Sequence, residues 1–447
     1  MWKRVCHFGT VVFILAVLAL LSFAACQKKS DTTAGDNKQT AREIVFWDMM
    51  WGPAASYPPA MRTLVERFNA ENKDNIHVTL QLIPWDNFYQ VFLTAVTSNS
   101  APDVATGAFM QPIQYAEMGE GLSLEPIVEQ WKKENNPILN DLSEAVFNLY
   151  LYEGQHYGLP WNLDTRQIMY RTDYFEQAGI TKPPADWNEF LDVCEKLKRA
   201  LPPDVFPIVF PGGGDYNGLQ SLITFLVQND AGVTDVNGRP DYTNPKVTEV
   251  LKFINTLYVK GYVPDGIAAY KGSDAEKLFQ AGKAAMYSHG MMELGDFPNI
   301  DANAAILPPM SGPSGTAKYY TWVNGIGAFS QTKDPQACYS FIKWLLENEL
   351  SLWTSGLLTS IPARISYRSD PYFTNSWQKK QVSELALPSI VTVVYPSPNI
   401  YLPFSVIEGE AMPMIGLVKA CARNPDYEAI QREVQNIMLD AWAEFDR

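Results

Sequence analysis

The most constraining feature of this sequence is a regular alternation of short strand-like runs with amphipathic helical stretches near its start. In chain order, apolar periodicity predicts a strand at 44–47, a helix around 61–68, a strand at 78–83, a helix at 87–98 and a strand beginning at 102–105. A β-α-β-α-β order is typical of a parallel sheet with helices on its faces. The first part of the chain is therefore predicted to fold as an α/β unit.

The same alternation returns later in the chain. Ile208–Phe210 and Lys283–Tyr287 predict strands, and the pairs Asn244-Pro245 and Asp334-Pro335 predict helix starts. Asn or Asp caps a helix, and proline suits its first turn. With 447 residues, 47% of them hydrophobic, the chain can bury more than one core. Two α/β lobes are expected, and a cleft between lobes is a favoured place for a small ligand.

The residues that follow the predicted strands are the first candidates for a binding site. In parallel sheets ligands bind beyond the carboxyl ends of the strands. Trp47, Asp48 and Trp51 close the first strand, and Gly107 and Gln111 follow the third. For Trp47 a place in the core is an equal alternative, whereas Trp51 is favoured for the cleft.

The charge balance excludes other classes of function. Asp plus Glu number 49 against 35 Lys plus Arg, for a net charge of −14. Without a basic stripe such a chain is a poor binder of nucleic acid, because phosphate neutralisation supplies most of that affinity. The four His show no metal-ligand spacing, so neither a metal nor a cofactor is predicted. The 12 Trp, 22 Tyr and 22 Phe could fill a core or form a ligand platform.

Two short motifs resemble known loops but lack a defining residue. Gly212–Gly214 is not followed by the Lys-Ser/Thr of a phosphate-binding loop. Asp235–Gly238 resembles the start of a calcium loop, but Lys246 stands where the twelfth-position Glu belongs. An ordinary turn is the prediction there. The widely spaced cysteines Cys194, Cys338 and Cys421 are expected to be buried thiols.

The N-terminus has the features of an export signal. Lys3 and Arg4 precede a short apolar run that ends at Ala24-Ala25, typical of a secretory signal peptide over residues 1–25. Cys26 stands where bacterial lipoprotein signals place their diacylated cysteine, although Phe23 replaces the usual Leu. Polar residues 26–42 predict a flexible tether. A plain cleaved signal is the alternative to lipidation.

Several segments carry a resemblance to a known family. They are Gly158–Trp161, Ile168–Arg171, Pro183–Phe190, Phe279–Met286 and Gly290. In this order and spacing they resemble the extracellular solute-binding proteins of ABC importers. The resemblance is to the large carbohydrate-binding class, which includes maltose-binding and glycerol-phosphate-binding proteins, and it covers about residues 43–447.

The resemblance implies a two-lobed periplasmic-binding-protein-like α/β fold of type II with a hinged interlobe cleft. Lobe one would comprise residues 43–160 plus 326–366, and lobe two residues 165–320 plus 370–447. The crossing segments would lie near 161–164, 322–325 and 361–372.

The same resemblance implies partners and a location. The partners are a small-molecule carbohydrate and ABC permease subunits in the cytoplasmic membrane. The protein would be a monomer, lipid-anchored to the outer face of that membrane, on the periplasmic side where an outer membrane is present.

Site residues are expected at the crossings. A sugar presents apolar C–H faces and a rim of hydroxyls, so its site needs flat rings plus planar polar groups. The first crossing offers Trp161, Asn162 and Asp164, and the second offers Trp322 and Asn324. Simple packing at the hinge is the alternative.

Loops of lobe two supply further candidates. Glycines 212–214 would let Tyr216 approach the cleft, and His289 could bond a hydroxyl beside Gly290. Many members place a stacking Trp after this glycine, whereas the present chain has Met291 and Met292. A thioether also packs against a sugar face, but with less specificity.

Late segments complete the predicted site. Arg364 could clamp two hydroxyls or an anion, with a salt bridge inside its lobe as the alternative. Tyr395 and Tyr401 fall where the family brings a late aromatic residue into the cleft. Glu408-Gly409-Glu410 predicts a solvated helix start.

Two other functions stay open at this point. A glycosidase could use two of the carboxylates Asp48, Asp103 and Asp164 as a catalytic pair, but no local pattern sets such a pair apart. An importer-type binder could instead take a polyol, glycerol phosphate or a peptide. The sequence favours a binding protein for a mono- or oligosaccharide that is not an enzyme.

Overall fold

The computed structural model describes residues 41–85, 88–107, 111–292, 294, 297–392, 395–397 and 402–445, which form one compact unit. The predicted signal peptide, the lipidation site Cys26 and Tyr401 lie outside these described residues.

A long twisted sheet organises the fold. Its main path runs in the order β2-β1-β3-β10-β6-β8-β7; β9 and β11 pair with β6, and β12 pairs with β10. Strands β4 (Leu151–Tyr152) and β5 (Gln155–His156) form a separate two-stranded sheet. The strands of the long sheet are β1 (Arg42–Met49), β2 (Ile76–Ile83), β3 (Val104–Gly107), β6 (Gly158–Arg171), β7 (Phe206–Val209), β8 (Ala284–His289), β9 (Ala304–Ile306), β10 (Tyr319–Ala328), β11 (Ile361–Pro362) and β12 (Ile390–Thr392).

Helices cover the faces of this sheet. They are α1 (Tyr57–Glu71), α2 (Phe88–Thr97), α3 (Gln111–Glu117), α4 (Glu125–Glu134), α5 (Glu144–Phe147), α6 (Thr172–Gln177), α7 (Trp187–Ala200), α8 (Tyr216–Gln228), α9 (Pro245–Val259), α10 (Gly272–Gln280), α11 (Pro298–Asp301), α12 (Pro335–Asn348), α13 (Ser351–Thr354), α14 (Pro371–Thr374), α15 (Trp377–Gln381), α16 (Leu402–Gly409), α17 (Met414–Ala420) and α18 (Tyr427–Phe445). Short 3₁₀ turns and a π-helical turn (Val382–Ala386) connect some of them.

The first half of the sheet is the predicted β-α-β-α-β unit. Strand β1 pairs in parallel with both β2 and β3, so their carboxyl ends meet at one edge. The helical stripe Met61, Leu64, Val65 and Phe68 is buried on α1, which packs against β2, while α12 packs against β1. The sequence periodicity therefore predicted this unit correctly.

The second half of the sheet contains the end of β6 with β7, β8 and β9. Strands β7 and β8 run in parallel, as the later alternation predicts. Helices α7, α8 and α10 pack on these strands, and α9, α17 and α18 pack beyond α8. The predicted caps form: the side chains of Asn244 and Asp334 accept hydrogen bonds from the backbone N–H groups of Lys246 and Ala337.

Strand β6 belongs to both halves. Its first residues pair antiparallel with β10 and β11, and its last residues pair with β8 and β9. The register between β6 and β10 shifts at Asn324/Gly325. The predicted crossings 161–164 and 322–325 lie on these two long strands; the lobe boundaries themselves stay a prediction.

Candidate ligand cleft

Two adjoining cavities lie where the halves of the sheet meet. Their volumes are about 430 and 190 Å³, comparable to pockets that hold small ligands. Both are lined by Trp51, Trp85, Asp164, Arg166 and His289, so they form one continuous cleft. The larger, outer cavity adds Gly52, Pro53, Glu276, Tyr287, Gly290, Met291, Met292 and Thr359. The smaller, inner cavity adds Phe88, Tyr216, Asn217, Gln220, Trp322 and Asn324.

One wall of the cleft is aromatic. Trp51 follows β1 and Trp85 follows β2, and their ring centroids lie 4.8 Å apart in an edge-to-face contact. Trp161 supports Trp51 from behind at 5.3 Å, also edge-on. Trp85 is 37% exposed and donates its indole N–H to the carbonyl of Met50 at 2.8 Å. This wall therefore presents apolar ring surface to a ligand.

The inner end of the cleft continues this aromatic surface across to α8. Phe88 lies 5.6 Å from Tyr216, and Tyr216 lies 5.5 Å from Trp322 in a tilted stack. The hydroxyl of Tyr216 donates to Oε1 of Glu408 at 3.1 Å, which holds the ring in place.

The opposite wall is polar and is built around Arg166. The Nε and Nη2 groups of this buried side chain donate to Oε1 of Gln220 at 3.0 and 2.7 Å. Its Nη1 group donates to Oδ1 of Asp164 at 2.5 Å. Burial alone lowers the pKa of Arg166, but the Asp164 charge raises it, so the guanidinium stays charged. The wall thus offers fixed planar polar groups.

The last residue of β8 and the loop that follows it close this polar wall. Burial, together with the charge of Arg166, lowers the pKa of His289 well below its usual range, so the imidazole is neutral. Gly290 allows a close approach, because a Cβ there would meet Nη1 of Arg166 at 3.0 Å and Oδ1 of Asp164 at 3.3 Å. Met292 lines the outer cavity and is otherwise packed in the core.

Of the predicted site residues, a subset lines the cleft. They are Trp51, Asp164, Tyr216, His289, Gly290, Met292, Trp322 and Asn324. The structure brings these together from the loop after β1, from β6, α8 and β10, and from the end of β8 with the loop that follows it. Whether they contact a ligand stays a prediction.

The structure corrects the expectation for Trp161 and Asn162. The side chain of Trp161 is buried between Trp51 and Trp353, and Asn162 is buried and accepts a hydrogen bond from Asn324 at 2.8 Å. Both lie on β6 where β10 and β11 flank it, so the sheet encloses them. They support the cleft from behind and do not line it.

Two residues of the first strand are also corrected. Trp47 packs edge-on against Phe92 at 5.3 Å, outside the two cavities. Of the two predictions for this residue, the place in the core is therefore the one that the structure shows. Asp48 has no exposed surface and accepts hydrogen bonds from Thr106 and Tyr57. Burial raises the pKa of Asp48 to about 7. Neither side chain reaches the cleft, because both point into the layers that cover β1.

Gly107 and Gln111 do not join the cleft either. They line a separate cavity of about 20 Å³ together with Phe92, Tyr115 and Phe329. This volume holds about one water molecule, which excludes a sugar. The Nε2 group of Gln111 donates to the Tyr115 hydroxyl at 3.2 Å.

The late candidates are engaged elsewhere. Arg364 donates to Asp141 at 2.9 Å and to the hydroxyl of Tyr367 at 2.6 Å, which is the predicted alternative of a salt bridge inside the lobe. The Tyr395 hydroxyl donates to Asp230 at 3.0 Å. Neither residue lines the two cavities; Tyr401 is not among the described residues.

The Glu408–Glu410 segment also differs from its prediction. It is the end of α16, and Glu408 is buried, with burial raising its pKa well above the usual range. The prediction of a helix start in solvent is wrong, because α16 packs against α3 and α18.

Sequence reasoning missed several cleft residues, notably Trp85, Phe88, Asn217, Gln220 and Glu276. Trp85 could have been found, because it follows β2 as Trp51 follows β1. Gln220 lies on α8, 54 positions beyond the Arg166 that it binds, and no local pattern indicates such a pair.

The described part of the chain shows no cluster of three or more His, Cys, Asp or Glu side chains suited to a metal ion. In the same part, no helix is long and apolar enough to span a membrane.

Comparisons with known proteins identify relatives. The family model described as bacterial extracellular solute-binding protein matches residues 54–350, more than half of the chain. A galactooligosaccharide-binding protein of Bacillus subtilis is 23% identical over 400 residues, covering 87% of each chain. An arabinooligosaccharide-binding protein of Halalkalibacterium halodurans is 23% identical over 270 residues, covering 58% of this chain and 56% of the relative.

A solved structure supplies the comparison of folds. A sugar transporter of Arthrobacter chlorophenolicus, solved with bound laminaribiose, is 24% identical with a TM-score of 0.79. The match covers 89% of this chain and 99% of the other. The predicted two-lobed, periplasmic-binding-protein-like α/β fold is thereby confirmed.

Proposed function

Because the chain belongs to the family of bacterial extracellular solute-binding proteins, we propose that it captures a neutral sugar in the cleft and delivers it to ABC permease subunits for import. The sugar is a mono- or oligosaccharide. The relatives named for oligosaccharides support this class of ligand.

The observation that carries the proposal is the opposition of two unlike walls. Trp51 and Trp85 face the cleft on one side, and Arg166, Asp164 and Gln220 face it on the other. A pyranose has the same division, with C–H faces that pack on indoles and hydroxyls that pair with planar polar groups.

The charge of the cleft favours a neutral ligand over a phosphate ester. Arg166 is neutralised by Asp164, and its Nε and Nη2 donors are occupied by Gln220. Glu276 adds a second carboxyl group to the outer cavity. Among the described lining residues, an anionic ligand would meet carboxylates and no free cation to pair with them.

We also propose that the protein binds its sugar without altering it. Of the carboxylates Asp48, Asp103 and Asp164, only Asp164 lines the cavities. Asp48 is buried, and Asp103 accepts hydrogen bonds from Val45 and Thr332. A glycosidase needs two carboxyl groups across the scissile bond, and these three do not supply that pair. Asp164 shares the outer cavity with Glu276 but is bonded to Arg166.

Capture would proceed by closure of the lobes. A ligand that touches both walls favours the closed state by the contacts that only this state provides. Strands β6 and β10, which carry the proposed crossings, would absorb the motion.

Export and anchoring belong to the same proposal. Residues 1–25 would direct export, and an acylated Cys26 would hold the protein at the outer face of the cytoplasmic membrane as a monomer. Labelling of cells with a radioactive fatty acid tests the anchor: the wild-type protein should carry label, and a Cys26→Ala protein should not.

The central experiment is a thermal-shift screen of the protein that begins at Gln27. The panel contains neutral mono- and oligosaccharides, polyols, uronic acids, glycerol phosphate and dipeptides. Bound ligand raises the apparent stability by mass action, so a neutral sugar should raise the Tm and change the Trp emission. The sugar recovered afterwards should be unchanged.

Stabilisation by an anion or a dipeptide alone, or recovery of a hydrolysed sugar, would contradict the proposal. Stabilisation by an open-chain polyol alone would reassign the ligand, since a polyol has no ring face to stack.

A further inference from the structure

Trp51 occupies a central position in the cleft. Its indole lines both cavities and contacts Trp85 and Trp161 edge-on. It lies in the loop after β1 and not in a strand or helix. The surface that it offers to a ligand therefore depends on what fixes the ring.

A buried hydrogen-bond chain fixes the ring from behind. The indole N–H of Trp51 donates to Oγ1 of Thr106 at 2.9 Å, and the backbone N–H of Met49 donates to the same oxygen at 3.1 Å. The hydroxyl of Thr106 in turn donates to Oδ1 of Asp48 at 2.5 Å. The hydroxyl of Tyr57 donates to the second carboxyl oxygen of Asp48 at 2.9 Å.

The direction of the bond from Thr106 to Asp48 is determined. The Thr106 oxygen already accepts two N–H groups, so its single proton must be donated, and Asp48 is the acceptor. Without an acceptor at Asp48, the proton of the Thr106 hydroxyl would have to point toward the two N–H groups from which its oxygen now accepts hydrogen bonds. Asp48 therefore acts on Trp51 through Thr106.

Burying the carboxyl group of Asp48 costs free energy. If the residue only filled space in the core, an apolar side chain would do so without this cost. The groups that act most on its carboxyl are uncharged: Thr106, Tyr57, Trp51 and the Met49 N–H. Burying a carboxyl without a cation costs free energy that an apolar side chain would avoid. Its burial raises its pKa to about 7, in agreement with this cost.

We propose that Asp48 and Thr106 are positioning residues that hold the Trp51 indole at the angle at which it forms the stacking wall of the cleft. This inference rests on the sugar-binding function proposed above. It gives Asp48 a role in recognition although its side chain never reaches the ligand.

The test reads Trp51 directly in the protein from Gln27 without any sugar. The indole N–H resonances are observed with ¹⁵N-labelled Trp, and Trp51→Phe assigns the resonance of Trp51. Thr106→Val keeps the shape of residue 106 but removes its hydroxyl. We expect the Trp51 resonance to shift and its N–H to exchange with D₂O about tenfold faster, because the indole loses its hydrogen-bond acceptor.

Two matched variants separate positioning from general stability. Thr106→Ser retains the hydroxyl and should return both signals to their wild-type values. Thr224→Val removes another buried hydroxyl, one that donates to the carbonyl of Gln220, and should leave Trp51 unaffected.

An unchanged Trp51 resonance and exchange rate in Thr106→Val would overturn the proposal. If that variant does not fold, Asp48→Ala decides, since it removes the acceptor of the Thr106 hydroxyl: a shifted Trp51 resonance supports the proposal, and an unshifted one overturns it. Because no sugar is present, these outcomes are independent of whether the thermal-shift screen finds a ligand.

Discussion

The two walls of the cleft are built in different ways. The aromatic wall consists of Trp51 and Trp85, which follow parallel strands and meet by edge-to-face contact. The polar wall consists of Arg166, Asp164 and Gln220, which are bonded to one another. The first wall offers surface area, whereas the second offers fixed directions.

This difference assigns different tasks to the walls. Ring stacking tolerates many sugars, because every pyranose has a C–H face. A site built for hydrogen bonds rejects analogues strongly, since unmatched buried polar groups are left unpaired. We infer that the aromatic wall supplies affinity for the class and the polar wall selects within it.

The largest effect is expected from Arg166→Met. The change leaves the buried Gln220 and the partly exposed Asp164 without their shared donor, and we expect a loss of about 3 kcal/mol or roughly 100-fold in affinity. Calorimetric titration with the sugar found in the screen measures this loss.

Arg364→Met is the matched control for that change. Arg364 is also paired with a carboxylate, Asp141, but lies outside the two cavities. It should lower the stability and leave the Kd within about threefold of wild type. Equal losses of affinity in both variants would contradict the inference that the polar wall contacts the sugar.

Trp51→Ala should have the next largest effect. Removing one stacking surface is expected to weaken binding by about 2 kcal/mol, or roughly 30-fold, for every sugar that binds. Trp47→Phe, at the other Trp of the same strand end, should leave affinity unchanged because Trp47 packs on Phe92. Selective loss for one sugar only would contradict the assignment of tasks.

The sequence predicted the local part of this architecture. Apolar periodicity located β1, α1, β2 and α2, because each of these buries one face and shows its repeat within a few residues. Caps such as Asn244 and Asp334 were equally visible, since a helix start depends on its immediate neighbours.

The site was only partly predictable, because its polar wall depends on distant pairing. The expectation that ligands bind beyond the carboxyl ends of parallel strands found Trp51 but also selected Asp48. Nothing in the local sequence distinguishes a side chain that faces the cleft from one that faces the covering helices. The partnership of Arg166 with Gln220 joins β6 to α8, and only the assembled fold reveals it.

A smaller effect is expected from Gly409→Ala, at a residue that lines neither cavity. Gly409 ends α16, which packs against α18 of the second half and α3 of the first, and its Cβ would lie 2.6 Å from the ring of Tyr89 on α2 of the first half. Beside it, Gln90 donates to Glu410 at 2.6 Å. An added methyl group here should disfavour the closed arrangement.

We expect the Kd of the Gly409→Ala protein to rise about fivefold, corresponding to about 1 kcal/mol lost from closure. Gly266→Ala is the control, because its Cβ would meet a ring at 3.3 Å within the second half alone. If Gly409→Ala binds like wild type, the contact between α16 and α2 does not depend on closure.

The last effect concerns stability and not affinity: the support behind the aromatic wall should make the free energy of unfolding depend on pH. Burial raises the pKa of Asp48 from 3.8 to about 7, so between these values the folded protein holds a proton that the unfolded chain has released. The free energy of unfolding therefore falls as pH rises through this window, by up to about 1.4 kcal/mol per pH unit for this group.

Asp48→Asn cannot titrate, so relative to wild type it should gain stability between pH 5 and pH 7.5. Denaturant unfolding of both proteins at these two pH values measures the gain, and the buried Glu349 and Glu408, whose pKa values are also raised by burial, cancel in the comparison. A stability difference that is the same at both pH values would mean that Asp48 is ionised in the fold, and the Thr106 hydroxyl would then donate to a full charge.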